Sequence, residues 1–242
     1  FVYDSSVEKL KKQLKVDSLK GFAVGTFPLG ITAAGALLVY LEQTRHTGLS
    51  NICSISRIDE GAFVWMDRFT FRNLEIFSSS AGGEGVSLFD VIDRCASPMG
   101  SRMLRSWLAM PVMDIAELND RYDVVGYFAG NRQKLSQVQG HIGDIGDLER
   151  IISRAAAGKI VPREVMQLAR GLSQTFPIIQ LCRGKGIGPL DDMMNALNVC
   201  GELLDMLGST MQREPVAAVG KGPVIASGVN AELDELRDIA RN

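Results

Sequence analysis

Histidine and cysteine are scarce in this 242-residue chain, which has two of the first and four of the second. Cys53, Cys95, Cys182 and Cys200 form no C-x-x-C pair, and only His46 and His141 supply imidazole. A zinc site needs three or four nitrogen or sulfur ligands at compatible spacing, so a metal centre is not expected. Four scattered thiols read instead as reduced core residues of a cytoplasmic protein. A basic excess is also missing, since 26 Lys and Arg against 28 Asp and Glu leave a formal net charge of −2. Counterion release by basic residues drives most of the affinity of a dedicated nucleic-acid-binding domain. Any DNA contacts are therefore expected to be few, or to be made by other parts of a larger protein.

Catalytic punctuation is lacking as well. Gly158-Lys159, Gly184-Lys185 and Gly220-Lys221 are followed by Ile160, Gly186 and Gly222, with no Gly five positions before the second glycine of a P-loop. No G-x-G-x-x-G opens a helix after a strand, and no G-x-S-x-G occurs. His46, just after a helix, and His141, in a Gly-flanked loop, read as surface or capping residues rather than general bases. The carboxylate pairs Asp191-Asp192 and Asp144/Asp147 fall at helix starts, where the macrodipole accounts for them. No catalytic residue, cofactor-binding residue or metal ligand is assigned to the chain.

No signal peptide is expected, because no charged n-region precedes an apolar stretch. Only Gly21 to Leu41 is long and uncharged enough to test for a membrane span. Gly21, Gly25, Pro28, Gly30 and Gly35 interrupt it. Pro28 suits the first turn of a helix, where its missing N–H costs nothing. The reading is a loop to Phe27, then a buried helix from Pro28 to Thr44, with no membrane partner.

With 46% hydrophobic and 22% charged residues, the composition excludes disorder. Val7, Leu10 and Leu14 share one face of an amphipathic helix over Val7–Val16 whose lysines form a solvated face. Ile52–Asp67, β-branched and aromatic but broken at Asp59-Glu60-Gly61, suggests a short hairpin. Ser78–Gly85 is a loop. Ser87 with Asp90 caps a helix over Leu88–Cys95. Ser97-Pro98 opens the next, with Met99, Met103, Leu104, Trp107 and Leu108 as its apolar stripe and Pro111 as its stop. Asp114 and Glu117 form a capping-box variant ahead of Ile115–Phe128. Asp144 and Asp147 open a helix that ends at Gly158, and Pro162 starts one running through Phe176 before Pro177 perturbs it. A helix after Pro189 carries Met193, Met194, Leu197, Cys200, Leu203, Leu204 and Leu207. Pro223–Ser227 is a short strand, and Asn230 caps a last helix through Leu233, Leu236 and Ile239. The fold class is mainly α, a helical bundle with a short β-hairpin or minor strands.

The run Phe71-Arg72-Asn73-Leu74-Glu75-Ile76-Phe77 is followed, after a loop, by Ser87-Leu88-Phe89-Asp90-Val91-Ile92-Asp93-Arg94. The chain continues Cys95-Ala96-Ser97-Pro98-Met99-Gly100-Ser101-Arg102-Met103-Leu104-Arg105-Ser106-Trp107-Leu108. Together these stretches closely resemble the core, or lever, region of the bacterial MutS family of DNA mismatch-repair proteins. Ile145-Gly146-Asp147-Leu148-Glu149-Arg150 and the tail from Ile225 to Arg237 match in the same order. The signature positions are Arg72, Asn73, Leu74, Glu75, Asp93, Arg94, Pro98, Gly100, Arg102, Leu104, Arg105, Trp107, Leu108, Asp147, Leu148, Glu149 and Arg150, all structural rather than catalytic.

The resemblance implies that residues 1–27 are the end of a connector domain and 28–242 the core/lever domain, ending near the insertion of a DNA clamp. It implies a parent that is a homodimeric, ATP- and Mg-dependent mismatch-recognition protein, touching DNA through other domains and signalling to a MutL-type repair factor. The family's Phe-x-Glu wedge is absent here, as is its P-loop. The role implied for this chain is transmission between ATP state and clamp, with Met99/Met103/Leu104/Trp107/Leu108 as a rigid joint. Arg102 and Arg105 would project from its other face, as inter-domain anchors or solvated side chains. The alternative is a stand-alone helical protein-interaction scaffold.

Overall fold

Three prolines mark helix starts in the computed structural model, which describes residues 2–44, 49–58, 60–80, 85–216 and 220–241. Pro28, Pro98 and Pro162 each occupy the first helical position, where a fixed φ helps and no N–H is needed. The chain divides into two compact units, Phe1–Glu60 and Gly61–Asn242. The border drawn at 27/28 from the resemblance lies inside the first unit.

In the first unit α1 (Tyr3–Leu14) packs on α2 (Pro28–Gln43). Leu10, Leu14, Leu19, Val24, Ile31 and Leu38 form its core, with Val7, Ile52 and Ile55 against it. Gly35 on α2 meets Ser6 on α1. A Cβ at 35 would overlap that of Ser6 and lie 2.7 Å from its Cα, so only glycine lets the two helices come this close. None of the described helices is long and apolar enough to cross a membrane.

The second unit is built from helices. They are α3 (Arg68–Asn73), α4 (Leu88–Ile92), α5 (Pro98–Ala109), α6 (Ile115–Gly130), α7 (Arg132–Ile145) and α8 (Leu148–Ala156), then α9 (Pro162–Ser173), α10 (Thr175–Cys182), α11 (Gly188–Ala196), α12 (Gly201–Thr210) and α13 (Ala231–Arg241). Val138, Ile178, Ile179, Cys182, Leu190 and Met194 make its buried core where α7, α10 and α11 meet, with Val124 and Phe128 of α6 against them. The fold is mainly α, as the sequence indicates.

Several local expectations are corrected. Ile52–Asp67 does not form a hairpin. Phe63 pairs with Val112, and Val64 N–H bonds the Pro111 carbonyl at 2.7 Å, so the extended residues find a distant partner rather than each other. Residue 59 of that stretch and 81–84 of the Ser78–Gly85 loop lie outside the described residues. α4 stops at Ile92 rather than Cys95, because Asp93 turns out of the helix at ψ 100° and its side chain accepts from Cys95 N–H. His141 lies within α7, not in a loop, and Asp144 is in that helix's last turn rather than at a helix start. The helix expected through Phe176 ends at Ser173, and α10 begins at once with Pro177 in its first turn. The single helix expected from Pro189 to Leu207 is two. Leu197 is extended and Cys200 takes φ +50°, held by an Asn198 Oδ1 bond to its N–H at 2.8 Å. Pro223–Ser227 gives one bridge, Ile225 to Met211, rather than a strand.

Candidate functional site

The residues that carry the resemblance are concentrated between Asp67 and Ala109, and short-range polar contacts account for many of them. Asp67 caps α3 by accepting from Thr70 N–H at 2.7 Å, a bond that lowers its carboxyl pKa. Arg72 and Asn73 end that helix on its exposed side, and exposed Leu74 follows. Glu75 stands at φ +50°, where its carboxylate accepts from the hydroxyl and N–H of Ser80, which lower its pKa. Its carbonyl accepts from Leu88 N–H at 2.9 Å, tying the Arg72–Glu75 run to the start of α4. There Ser87 and Asp90 form a reciprocal capping box.

Asp93 then joins α4 to α5. Its carboxylate accepts from Ser101 Oγ at 2.5 Å and Cys95 N–H at 3.1 Å, and the serine bond is the larger cause of its lowered pKa. Arg94 folds back on the Asp93 carbonyl. Ser97 caps α5 through Gly100 N–H, and a Cβ at Gly100 would sit 3.4 Å from both Cys95 Cβ and Ser97 Oγ.

On α5 both arginines are exposed, yet each has partners within the second unit. Arg102 donates to both oxygens of Asp147, at 2.9 and 2.7 Å, and twice to Glu149 Oε2, at 3.1 and 2.6 Å. Asp147 first, then Glu149, raises the guanidinium pKa, and the Arg102 bonds are the main cause of the lowered Asp147 pKa. The same Asp147 caps α8 through Arg150 N–H, so one carboxylate positions α8 and holds α5. Leu148, beside it, lies against Gly171 of α9, where a Cβ would be 2.9 Å from Leu148 Cδ2. Arg105 lies over the rings of Phe77 at 4.2 Å and Phe89 at 5.3 Å.

The apolar stripe of α5 is only partly covered within this chain. No side chain of the helix is buried, Met103 is 57% exposed and Trp107 42% exposed. Met99, Leu104 and Leu108 are half-buried. Arg121 of α6 stacks 3.7 Å from the centre of the Trp107 ring. Sequence reasoning missed Arg121, whose only local signal is its position four residues after Glu117. Those two do pair, at 2.5 Å, so Glu117 serves Arg121 rather than a capping box with Asp114. Phe77 and Phe89 were missed as partners because their contacts with Arg105 span different elements, and Ser101 because its contact with Asp93 joins two helices.

Two of the glycine-lysine turns have backbone amides engaged by neighbouring residues. Gly184 N–H is taken by the Asp191 carboxylate at 2.5 Å, which puts negative charge where a phosphate would sit. Lys159 N–H, after Gly158, bonds the Arg154 carbonyl. At these two turns the backbone N–H groups named are already taken within the chain. His141 Nδ1 is 2.9 Å from Gln174 Oε1, a contact between α7 and the residue linking α9 to α10. His46 lies outside the described residues. Of the four thiols only Cys182 is buried. Cys53 and Cys95 are exposed and Cys200 is intermediate, so the expectation of four core cysteines holds for one.

Comparison with known proteins places this arrangement. The family model described as MutS domain III matches residues 69–241. The chain is 42% identical over 240 residues to the DNA mismatch repair protein MutS of Parabacteroides distasonis, covering 99% of this chain and 28% of that protein. It is 45% identical over 240 residues to MutS of Phocaeicola vulgatus, with the same coverage of each. With MutS of Flavobacterium psychrophilum it shares 42% over 237 residues, 98% of this chain and 27% of the relative. The chain spans a little over a quarter of the length of these curated relatives. On the strength of the domain match and of identity across nearly its full length, the chain belongs to the MutS family.

Proposed function

We propose that this chain is the core/lever part of a MutS-type mismatch-repair ATPase, relaying between nucleotide state and DNA clamp without performing a reaction itself. Residues 1–27 are assigned to the end of the connector domain and 28–242 to the core/lever domain. One observation carries the reading. Signature residues from two stretches, 45 and 47 positions apart, meet in a single contact, Arg102 with Asp147 and Glu149. A guanidinium bonded to carboxylates at the start of another helix fixes the angle between two helices, which is what a lever joint requires. Close-packed elements pass such displacements on because cores switch between discrete arrangements rather than deform continuously.

ATP and Mg belong in this reading to a part of the parent that these residues do not form. DNA is gripped through other domains, the parent is a cytoplasmic homodimer, and a MutL-type factor receives the signal. The names of the relatives, DNA mismatch repair protein MutS, support the pathway.

The test is the full-length protein carrying Trp107→Ala, assayed for ATP-triggered release of mismatched DNA. Weakened coupling at unchanged nucleotide-free DNA affinity is expected. Unchanged coupling in a correctly folded variant rejects the joint.

A further inference from the structure

We propose that α5 is a releasable element: charge and ring contacts centred on the Arg102–Asp147–Glu149 clasp hold it in place, and ionic strength frees it while the packed helices stay closed.

α5 is held differently from the helices that form the buried core. α7 buries Val138, α9 buries Pro162, Ala169 and Gly171, and α10 buries Thr175, Ile178, Ile179 and Cys182. α5, twelve residues long, buries none, as do α3, α4, α6 and α12, but among the described residues it is the one of these tied to another helix by ion pairs, Arg102 to Asp147 and Glu149. The contacts that fasten it are the four Arg102 hydrogen bonds, Arg105 over Phe77 and Phe89, Arg121 over Trp107, and the Ser101 hydroxyl on Asp93. Just past its C-terminal end the chain is pinned by backbone bonds, Val64 N–H to the Pro111 carbonyl and Met113 N–H to the Ala62 carbonyl. The helix is therefore tied at one end and clasped along its length.

The clasp is open to solvent. The Arg102 side chain is 48% exposed and that of Glu149 66%, with Asp147 half-buried at 21%. Exposed ion pairs are weakened by screening, and cation–π contacts at accessible rings are worth little more. Burial of Ile178 or Leu190 has no such dependence on ordinary salt. Asp147 and Glu149 share the one guanidinium, so loss of Arg102 removes all four hydrogen bonds of the clasp together. None of this depends on what the parent protein does.

The experiment is hydrogen–deuterium exchange on the whole chain in about 0.1 M and about 1 M sodium chloride, between which the Debye length falls from about 10 to about 3 Å. Amides in the second half of α5 should exchange about five-fold faster at high salt, while those of α7 and α10 stay unchanged. Arg102→Met should give the fast rate already at low salt and abolish the salt response, and Arg102→Lys should keep part of it. A salt response absent from α5, or equal in α5, α7 and α10, overturns the proposal. The wild-type salt series decides even if the Met variant does not fold.

Discussion

Replacing Gly35 by alanine sets two effects of opposite sign against each other. Alanine is a better helix former than glycine by about 1 kcal/mol at an interior position, so helix propensity alone makes Gly35→Ala stabilising. The structure opposes this. The new methyl would overlap Ser6 Cβ and lie 2.5 Å from Ser6 Oγ and 2.7 Å from Ser6 Cα, against about 3.5–4.0 Å for an ordinary contact between carbons. The obstructing Cα is backbone, so no rotamer change relieves it, and α1 and α2 must separate by roughly 1 Å. That separation loosens Leu10, Leu14, Ile31 and Leu38 together and disturbs the Ser6 hydroxyl bonds to Val2 and Thr32. Overpacking of this kind costs about 1–3 kcal/mol, and with the core's loosening it outweighs the propensity gain. A net loss of about 1–2 kcal/mol is expected. Amide exchange across α1 and α2 is the suitable readout, because both tryptophans lie outside this unit and report on the other one. Adding Ser6→Gly to Gly35→Ala should recover part of the loss. If Gly35→Ala slows exchange in α1 and α2, the close approach of the helices is refuted.

Three further outcomes follow from the same geometry. Gly171→Ala, whose Cβ would overlap the Ile145 carbonyl oxygen, should destabilise the second unit by about 2 kcal/mol, whereas Gly126→Ala, with open space around it, should stabilise it by about 0.5–1 kcal/mol in denaturant unfolding. Alkylation followed by mass spectrometry should find Cys53 modified first and Cys182 protected until unfolding, since burial both hides its thiol and raises its pKa. Cys95, though exposed, should lag behind Cys53 because desolvation and then Asp93 disfavour its thiolate. Asp90, Asp93 and Asp147 have native pKa values below the ordinary aspartate value of about 3.9, so they contribute stability above that pH and lose it as the pH falls through their native values. Acid titration should therefore show a flat stability from these groups near neutrality and a decline below about pH 4, shallower in Asp147→Asn.

The legible parts of the fold were those decided within a few residues. Pro28, Pro98 and Pro162 at helix starts and the caps at Ser87, Ser97, Asp114 and Asn230 were all readable, because a proline's φ and a cap's hydrogen bond are local. Gly140 and Gly143 hid α7, whose Val138, Ile142 and Ile145 belong to a core completed by α10 and α11, distant in sequence. The apolar spacing from Met193 to Leu207 continued across Leu197–Cys200, and the break there, with Leu197 extended and Cys200 left-handed, is one that periodicity does not register. The hairpin was misread because Phe63 pairs 49 residues away, with Val112. At the candidate site the resemblance picked out Arg102, Asp147 and Glu149 separately, and their meeting was not legible across 45 residues. The exposure of Trp107 was not legible either, since an apolar stripe looks the same whether or not another helix covers it.

The central claim, that these helices transmit rather than catalyse, is tested most directly by the coupling free energy between nucleotide and DNA. It is obtained in the full-length protein from DNA affinity with and without ATP, for wild type and for Arg102→Met. Transmission through the α5 joint predicts that coupling, typically about 1–3 kcal/mol, falls by about 1 kcal/mol or more in the variant while each ligand alone binds as before. Undiminished coupling in a folded Arg102→Met protein would contradict it.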